Sequence, residues 1–387
     1  MAIIRIIFII PFCFIIFHHP VSAETEKSFE DMMIDNMSLD KIQSYWTSIG
    51  EEYGGYIPEL KKTSISEYIK NQEGFSLKQI FSGFLEFLLH EFIINGKLLS
   101  SLLLLTIFSV FLQTLHTTFQ NSTVSKLAYF IVYIVLLFIA LNSFYTVFTY
   151  AQEAIEMMSS FMIALIPLIL GLMTTFGNVA AVTFFHPLII FLVNSSGLLV
   201  GKFILPLLLL SALLMIVSSL SDRYKVTHLA KLFKSVALGA LGIFLTIFLG
   251  VMSVQGAASA IQDGIGLKTA KYITANFIPV VGRTFTDATD TILNASLLLK
   301  NAIGIVGVVI TIFITIFPAL KILAIAIIYH VAAAVLQPLG DGPVITSLET
   351  ISQFIFYILA CLLVVSFMFF LGIVIIIAAS NLTMFIK

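Results

Sequence analysis

The chain has 387 residues, of which 59% are hydrophobic and only 11% are charged, and its formal net charge is −1. Its mean hydropathy is +1.07. A soluble domain carries about 25% charged residues, so this composition excludes an ordinary globular protein in water. It predicts an all-α, polytopic integral membrane protein, because helices satisfy their own backbone groups in hydrocarbon.

The first 23 residues are typical of a signal peptide. Arg5 provides a positive start, residues 6–17 form a short apolar run, and small residues at 21–23 offer a cleavage site. The run has about a dozen residues, whereas a spanning helix needs about 20. The sequence therefore predicts cleavage after Ala23, with an uncleaved first span as the alternative. Cleavage would leave Cys361, in an apolar run, as the one cysteine.

Residues 24–97 form an acidic, mostly polar segment. They hold 13 of the 21 acidic residues and 7 lysines. Charged residues alternate there with apolar ones, and Gly50, Gly54, Pro58 and Gly74 interrupt the pattern. This pattern predicts two or three short amphipathic helices that rest on the membrane surface or on a partner. We call this segment the head and expect it on the extracytoplasmic side.

Residues 98–387 form the predicted membrane core. Most of its apolar stretches reach the roughly 20 residues that cross hydrocarbon as a helix, which predicts about 7–9 transmembrane helices. A long amphipathic segment at residues 256–301 interrupts the series. The apolar stretches are residues 98–118, 127–149, 157–176, 179–200, 203–220, 235–255, 302–318, 319–337 and 352–379.

Two adjacent pairs of stretches leave almost no room for a loop between them. Residues 179–220 and 302–337 would each make a very long single helix at about 1.5 Å per residue. The sequence therefore predicts a hairpin or a broken helix in both places. The hinges are expected at residues 201–206 and 318–321, where proline removes a helical hydrogen bond.

Cations in short loops indicate which side of the membrane faces the cytoplasm. With the head outside, the cytoplasmic cations are Lys126, Arg223, Lys225, Lys231, Lys234, Lys321 and Lys387. The opposite short loops hold one cation and four acidic residues, which are Lys202, Glu153, Glu156, Asp341 and Glu349. This asymmetry favours the head outside. The loop at residues 221–234, which we call the basic loop, is then a candidate docking site for a cytoplasmic partner.

A polar stripe is predicted within the amphipathic segment. Five polar residues follow one another at steps of 4, 3, 4 and 7, which places them on one face of a helix. These residues, called the polar stripe, are Arg283, Asp287, Asp290, Asn294 and Asn301. The stripe either faces water at the membrane surface or is buried between helices. In the second case it would line a polar path or bind a partner.

The sequence predicts no enzymatic chemistry and no cofactor. The run from Gly197 to Phe203 resembles a phosphate-binding loop, but it is one residue short and ends in Phe where a Ser or Thr is needed. Gly197 and Gly201 suit close packing of helices better. No spacing of His, Cys or carboxylates suggests a metal site. Basic patches with interleaved aromatic residues are missing, so no nucleic-acid partner is expected.

Two linked segments in the last third of the chain carry a family resemblance. In residues 276–304 and 317–341, polar residues at helical spacing accompany long apolar runs and a turn rich in proline and glycine. Together they closely resemble the stage III sporulation protein AE family of endospore-forming bacteria. The resemblance is strongest from about residue 150 to the C-terminus, and before residue 100 it is limited to layout.

The resemblance implies a role that composition alone does not. The family is the polytopic membrane subunit of a mother-cell complex that connects the mother cell to the forespore across the intermembrane space. That complex is needed for late forespore gene expression and is proposed to form a channel, with a cytoplasmic ATPase and ring-forming proteins as partners. A permease for a small solute and a membrane scaffold that conducts nothing are the alternatives.

Overall fold

The described part of the protein consists of helices and the turns that join them. The computed structural model describes residues 39–62, 64–71, 76–118, 123–175, 179–220, 225–277, 281–339 and 342–385. Within these ranges it contains helices and no β-strand, so the all-α prediction is confirmed. The predicted signal peptide at residues 1–23 lies outside the described residues, as does Arg223.

The described part of the head consists of four helices, which are α1 (Asp40–Tyr53), α2 (Glu59–Lys62), α3 (Ile65–Asn71) and α4 (Leu77–Ile94). The last of them is the longest, and Gly83 lies within it. A side chain at Gly83 would collide with the backbone carbonyl of Tyr56, so glycine allows α4 to approach the turn after α1 closely. The described part of the head belongs to the same compact unit as the core, Ser38–Lys387.

The core consists of long helices, which are α5 (Gly96–Thr118), α6 (Thr123–Thr175), α7 (Val179–Ser196), α8 (Leu205–Leu220), α9 (Thr227–Phe277), α10 (Val281–Leu336) and α11 (Pro343–Phe385). A π-helical segment, Gly197–Ile204, joins α7 to α8, and a short 3-10 turn, Gln337–Leu339, follows α10. The head helix α4 meets α5 at a bend of 41°.

The number of candidate membrane spans is lower than the sequence predicts. Among the described residues, five helices are long and apolar enough to cross a membrane, or six if the bent pair α4–α5 counts as one. The predicted stretches 127–149 and 157–176 both belong to α6. Between them, Gln152 donates to Glu156 at 3.2 Å along the helix. Polar residues lower hydropathy, but glutamine and glutamate are good helix formers and do not end a helix.

The predicted hinge at residues 318–321 is wrong. α10 runs through Pro318 without a break. Proline removes one backbone hydrogen bond, but the helix is buried on both sides of it, at Phe317 and Ile322, where packing can offset that loss. At residues 201–206 the structure has the π-helical segment rather than a hairpin, and α7 and α8 form one continuous apolar helix.

α10 and α11 pack antiparallel at the centre of the core. Lys300, in the first half of α10, donates to the carbonyl of Ile377, in the last quarter of α11, at 3.2 Å. At the other end, Ser352 of α11 donates to the carbonyl of Ala326 at 3.1 Å. Gly304 makes the close approach possible, because a side chain there would collide with Ile377. The core is therefore a tight helix pair with the other helices around it.

A cluster of hydroxyl groups marks one end of the core. Tyr133, Ser219 and Ser347 lie within 2.8 to 3.3 Å of one another and join α6, α8 and α11. Ser219 lies two residues before the basic loop, so we call this end the basic end. Glu349 follows Ser347 by two residues and therefore lies at the basic end too. The prediction that placed Glu349 on the side opposite the basic loop is wrong.

Candidate functional site

A polar layer of four residues lies where the head meets α6 and α10. At its centre, the ammonium of Lys321 is 3.5 Å from the carboxylate of Glu52 in α1. The same ammonium lies over the rings of Tyr53 and Tyr150, 5.6 and 5.5 Å from their centroids. Lys321 thus connects the head, α6 and α10. We call these four residues the Lys321 layer.

The position of Lys321 corrects a prediction. The sequence placed this lysine on the cytoplasmic side, opposite the head, because the hinge expected at residues 318–321 would join two spans there. In the structure it contacts Glu52 of the head directly, so the two residues share one level. Both the head and the layer are therefore separated from the basic end by the intervening lengths of α6 and α10.

A cavity of about 280 Å³ opens beside the Lys321 layer. The head contributes Ser48 to its wall, α6 contributes Glu153 and Met157, and α10 contributes Pro318. Together with Glu52 of the layer, Glu153 gives the cavity two carboxylates against one ammonium. The cavity thus has mixed walls, apolar side chains with three charged groups among them, at the junction of three elements.

An aromatic cluster below the layer fixes the head. The ring of Tyr53 stacks on Phe317 with 3.7 Å between the centroids and 5° between the planes. Phe84 and Phe87 of α4 meet the same ring edge-on at 5.7 and 5.0 Å. Burial raises the pKa of Tyr53, and its hydrogen bond to Glu52 raises that pKa further, so the hydroxyl stays protonated. The head is therefore held by ring packing as well as by the ion pair.

A second lysine lies inside the core. Lys300 is fully buried, with its ammonium on the carbonyl of Ile377. The sequence placed this lysine in the amphipathic segment at residues 256–301, between two predicted spans. The next residue, Asn301, has its amide oxygen buried with no hydrogen-bond partner in the described part of the chain. The end of the polar stripe thus adjoins a polar spot in the interior.

The other four stripe residues, Arg283, Asp287, Asp290 and Asn294, lie in α10 as their spacing predicts. Their side chains are outside the described part of the structure. Whether they face water or another chain therefore stays a prediction. Lys300 of α10 lies beside Ile377 of α11, and most of the stripe precedes Lys300, so the stripe and the basic end lie toward opposite ends of the core.

The structure describes the basic loop from residue 225. Lys234 is tied to α11, because its ammonium is 3.5 Å from the hydroxyl of Tyr357 and 5.1 Å from the centroid of that ring. Lys225 also takes part in an interaction. Lys231 is exposed. Of the three described lysines, Lys231 is thus the one whose charge can be changed with the least effect on packing.

The two glycines of the rejected phosphate-loop motif differ in how closely other helices approach them. A side chain at Gly197 would lie 2.8 Å from the hydroxyl of Ser159, so α7 and α6 approach closely there. Gly201 has no such neighbour within 4 Å. Lys202 is exposed. Among the described residues, no group of three His, Cys, Asp or Glu side chains could hold a metal ion, and Cys361 is buried.

The fold defines a helical protein with several apolar helices of membrane-spanning length and a polar head packed against them. The family model for stage III sporulation protein AE matches residues 60–380. The chain is 54% identical over 365 residues to the stage III sporulation protein AE of Bacillus subtilis (strain 168), which covers 94% of this chain and 92% of that protein. The chain therefore belongs to the stage III sporulation protein AE family.

The family resemblance seen in the last third of the sequence is thus confirmed, and it extends over most of the chain. The family description names a stage of sporulation and no reaction. No solved structure matches the chain.

Proposed function

We propose that the protein is the membrane subunit of a channel complex between mother cell and forespore, and that it is needed for late forespore gene expression. The observation that carries this proposal is the family match over residues 60–380. The apolar length of the core helices supports a place in a membrane. In this proposal the protein lies in the mother-cell membrane around the forespore, with its head in the space between the two cells.

A permease for a small solute is less well supported. Permeases of many folds bind substrate where broken helices expose backbone groups near the middle of the membrane. One of the two expected breaks is absent, because α10 continues through Pro318. The cavity beside Lys321 lies instead at the junction with the head. We therefore favour a subunit of an assembly, with a non-conducting scaffold as the second candidate.

Removal of the protein tests the proposed stage of action. In-frame deletion is expected to abolish a late forespore reporter and spore formation while an early forespore reporter stays at its normal level. Fluorescence of the two reporters and counts of heat-resistant spores measure the result, and the complemented strain is the control. A normal late reporter in the deletion strain would contradict the proposal. Purification of the tagged chain from sporulating cells should also recover the other subunits of the complex.

We further propose that the basic loop binds the cytoplasmic ATPase of the complex and that the polar stripe binds another subunit or lines the conduction path. For the loop, the charges of Arg223, Lys225, Lys231 and Lys234 support binding to an acidic surface. A binding or conducting role for the stripe is supported by its charges. Charged residues such as Asp287 and Asp290 are energetically costly near hydrocarbon, and residues of this kind are usually functional.

The change Lys231→Glu is expected to lower recovery of the ATPase with the tagged chain by about fivefold, since an exposed ion pair contributes up to about 1 kcal/mol. The matched control is Lys41→Glu, which reverses an exposed lysine in the head. Quantitative immunoblots of the purified complexes measure the ratio. Equal recovery with both variants would show that the ATPase binds elsewhere.

A further inference from the structure

The cavity beside the Lys321 layer brings two carboxylates to one ammonium. Glu52 of α1 pairs with Lys321 at 3.5 Å. Glu153 of α6 lines the same cavity and follows Tyr150, whose ring lies under the ammonium, by three residues. Residues three apart share one face of a helix, so Glu153 lies on the same side of α6 as Tyr150. One carboxylate balances the charge of one lysine, and Glu153 is therefore surplus to the pair.

The cavity leaves Lys321 room to pass from one carboxylate to the other. Its ammonium ends a flexible four-carbon chain, and the cavity of about 280 Å³ provides space in which that chain can change direction. The side chain of Glu52 is 53% exposed, and Glu153 is exposed as well. Whichever carboxylate is not paired thus remains in contact with water. The exchange therefore leaves no buried charge without a partner.

The first helix of the head, α1, meets the core toward both of its ends. Tyr45 contacts α6 in the first half of α1, and Glu52 and Tyr53 contact α10 at its C-terminal end. Between them, Ser48 and Ile49 line the cavity. A gap provides no atoms for van der Waals attraction, so the cavity weakens the attachment of α1 to the core. Segments with few packed contacts can open locally while the rest of a protein stays folded, and α1 is such a segment.

Detachment of α1 takes Glu52 away from Lys321. The lysine side chain is only 23% exposed, so breaking its ion pair without a replacement is costly. Glu153 belongs to α6 and stays with the core when α1 leaves. We propose that Lys321 passes from Glu52 to Glu153 when α1 detaches, so that Glu153 lowers the cost of releasing α1. The proposal rests on this junction alone and does not depend on the channel role.

The exchange predicts different effects for the two carboxylates. Without Glu52, Lys321 pairs with Glu153 whether α1 is attached or detached, so the equilibrium between the two states is unchanged. Without Glu153, Lys321 is paired only while α1 is attached, so detachment becomes rarer. Without both, Lys321 is unpaired in either state, and the equilibrium returns to that of the unchanged protein. A simple ion pair between Glu52 and Lys321 predicts easier detachment without Glu52 and no effect without Glu153.

A cysteine in the wall of the cavity measures detachment of α1. Ala154→Cys places a thiol on α6, at a residue that lines the cavity and is 4% exposed. In the full-length protein in detergent, the rate at which a bulky maleimide labels this thiol follows the population with α1 detached. The protein without the new cysteine gives the background of Cys361, which is buried. Ile49→Cys, on the α1 wall and also 4% exposed, is a second reporter and is expected to give the same ratios.

The change Glu153→Gln is expected to slow labelling by about two- to fivefold, which is the range that an ion pair near the surface allows. Glu52→Gln is expected to leave the rate unchanged, and the two changes together are expected to restore it. The matched control is Glu156→Gln, which alters an exposed carboxylate of α6 that accepts a hydrogen bond from Gln152. We expect this control to leave the rate unchanged.

The change Lys321→Met shows whether Glu153 acts through the ammonium, because it keeps an unbranched side chain and removes the charge. In this background, Glu153→Gln is expected to have no effect on labelling. Equal slowing by Glu153→Gln with and without Lys321 would overturn the proposal, as would an unchanged or faster rate with Glu153→Gln alone. Faster labelling with Glu52→Gln would also overturn it, because Glu52 would then be a partner that Glu153 does not replace.

Discussion

Replacing Phe317 by alanine is expected to release the head from the core and to lower the free energy of unfolding by about 3–5 kcal/mol, the usual cost of deleting a buried aromatic ring. Phe317 is fully buried. Its ring is stacked with Tyr53 and is met edge-on by Phe84 and Phe87. Thermal unfolding of the purified protein in detergent measures the loss, and faster proteolysis between α3 and α4 reports release of the head.

The control for this change is Phe138→Ala. Phe138 lies on α6 and is 73% exposed, so its deletion leaves no cavity. We expect its effect on the free energy of unfolding to stay within about 0.5 kcal/mol. If both alanine variants unfold at the temperature of the unchanged protein, then the aromatic cluster does not hold the head.

The change Lys300→Glu is expected to lower the free energy of unfolding by about 3–5 kcal/mol, because it leaves an uncompensated charge in the interior. The ammonium of Lys300 donates to the carbonyl of Ile377. A carboxylate at this position would face the same carbonyl, and two acceptors repel each other. Immunoblots of membranes are expected to show a strong loss of the protein, and thermal unfolding of what remains gives the shift.

Two further variants separate charge from packing at this position. Lys300→Met keeps an unbranched chain of similar length, and we expect it to cost less than about 1.5 kcal/mol. Lys202→Glu reverses an exposed lysine and is expected to leave abundance unchanged. Normal abundance of Lys300→Glu, with an unchanged unfolding temperature, would mean that residue 300 is not buried as the structure describes.

The class of fold could be predicted from the sequence, but the number of spans could not. Apolar runs and the scarcity of charged residues are enough to predict a helical membrane protein. The stretch between Tyr150 and Met157 was interpreted as a break because its polar residues lower hydropathy. Whether such residues end a helix or lie on its surface depends on what packs beside them. Here α1 of the head lines a cavity together with Glu153 and Met157 of α6, and a hydropathy profile contains no such information.

The candidate sites were predictable only where they follow from local spacing. The polar stripe lies on one helix, as its steps of 4, 3, 4 and 7 require. The Lys321 layer depends on contacts between residues that are far apart in sequence, such as Glu52 with Lys321. The i, i+4 pair of Phe313 and Phe317 was a usable signal, since it indicates an aromatic face on one helix. Nothing local indicates that Tyr53 stacks on it.

The π-helical segment determines how far α8 is rotated about its axis relative to α7. Phe191 and Leu198 are exposed before or at its start, and Leu210 and Val217 are exposed after it. Leu210 follows Phe191 by 19 residues. In a regular α-helix that step is five full turns plus a rotation of about 100°, and 100° is the rotation between two consecutive residues. The exposed face thus shifts by one residue, and a π turn accommodates one extra residue.

In evolutionary terms the segment has the form of a single-residue insertion. Removing one residue from Gly197–Ile204 would permit a regular α-helix and would turn α8 by about 100° relative to α7. Ser211 would then no longer reach the carbonyl of Ala230 in α9, to which it now donates. For a family member to keep this core, the number of residues in the segment matters more than their chemical type.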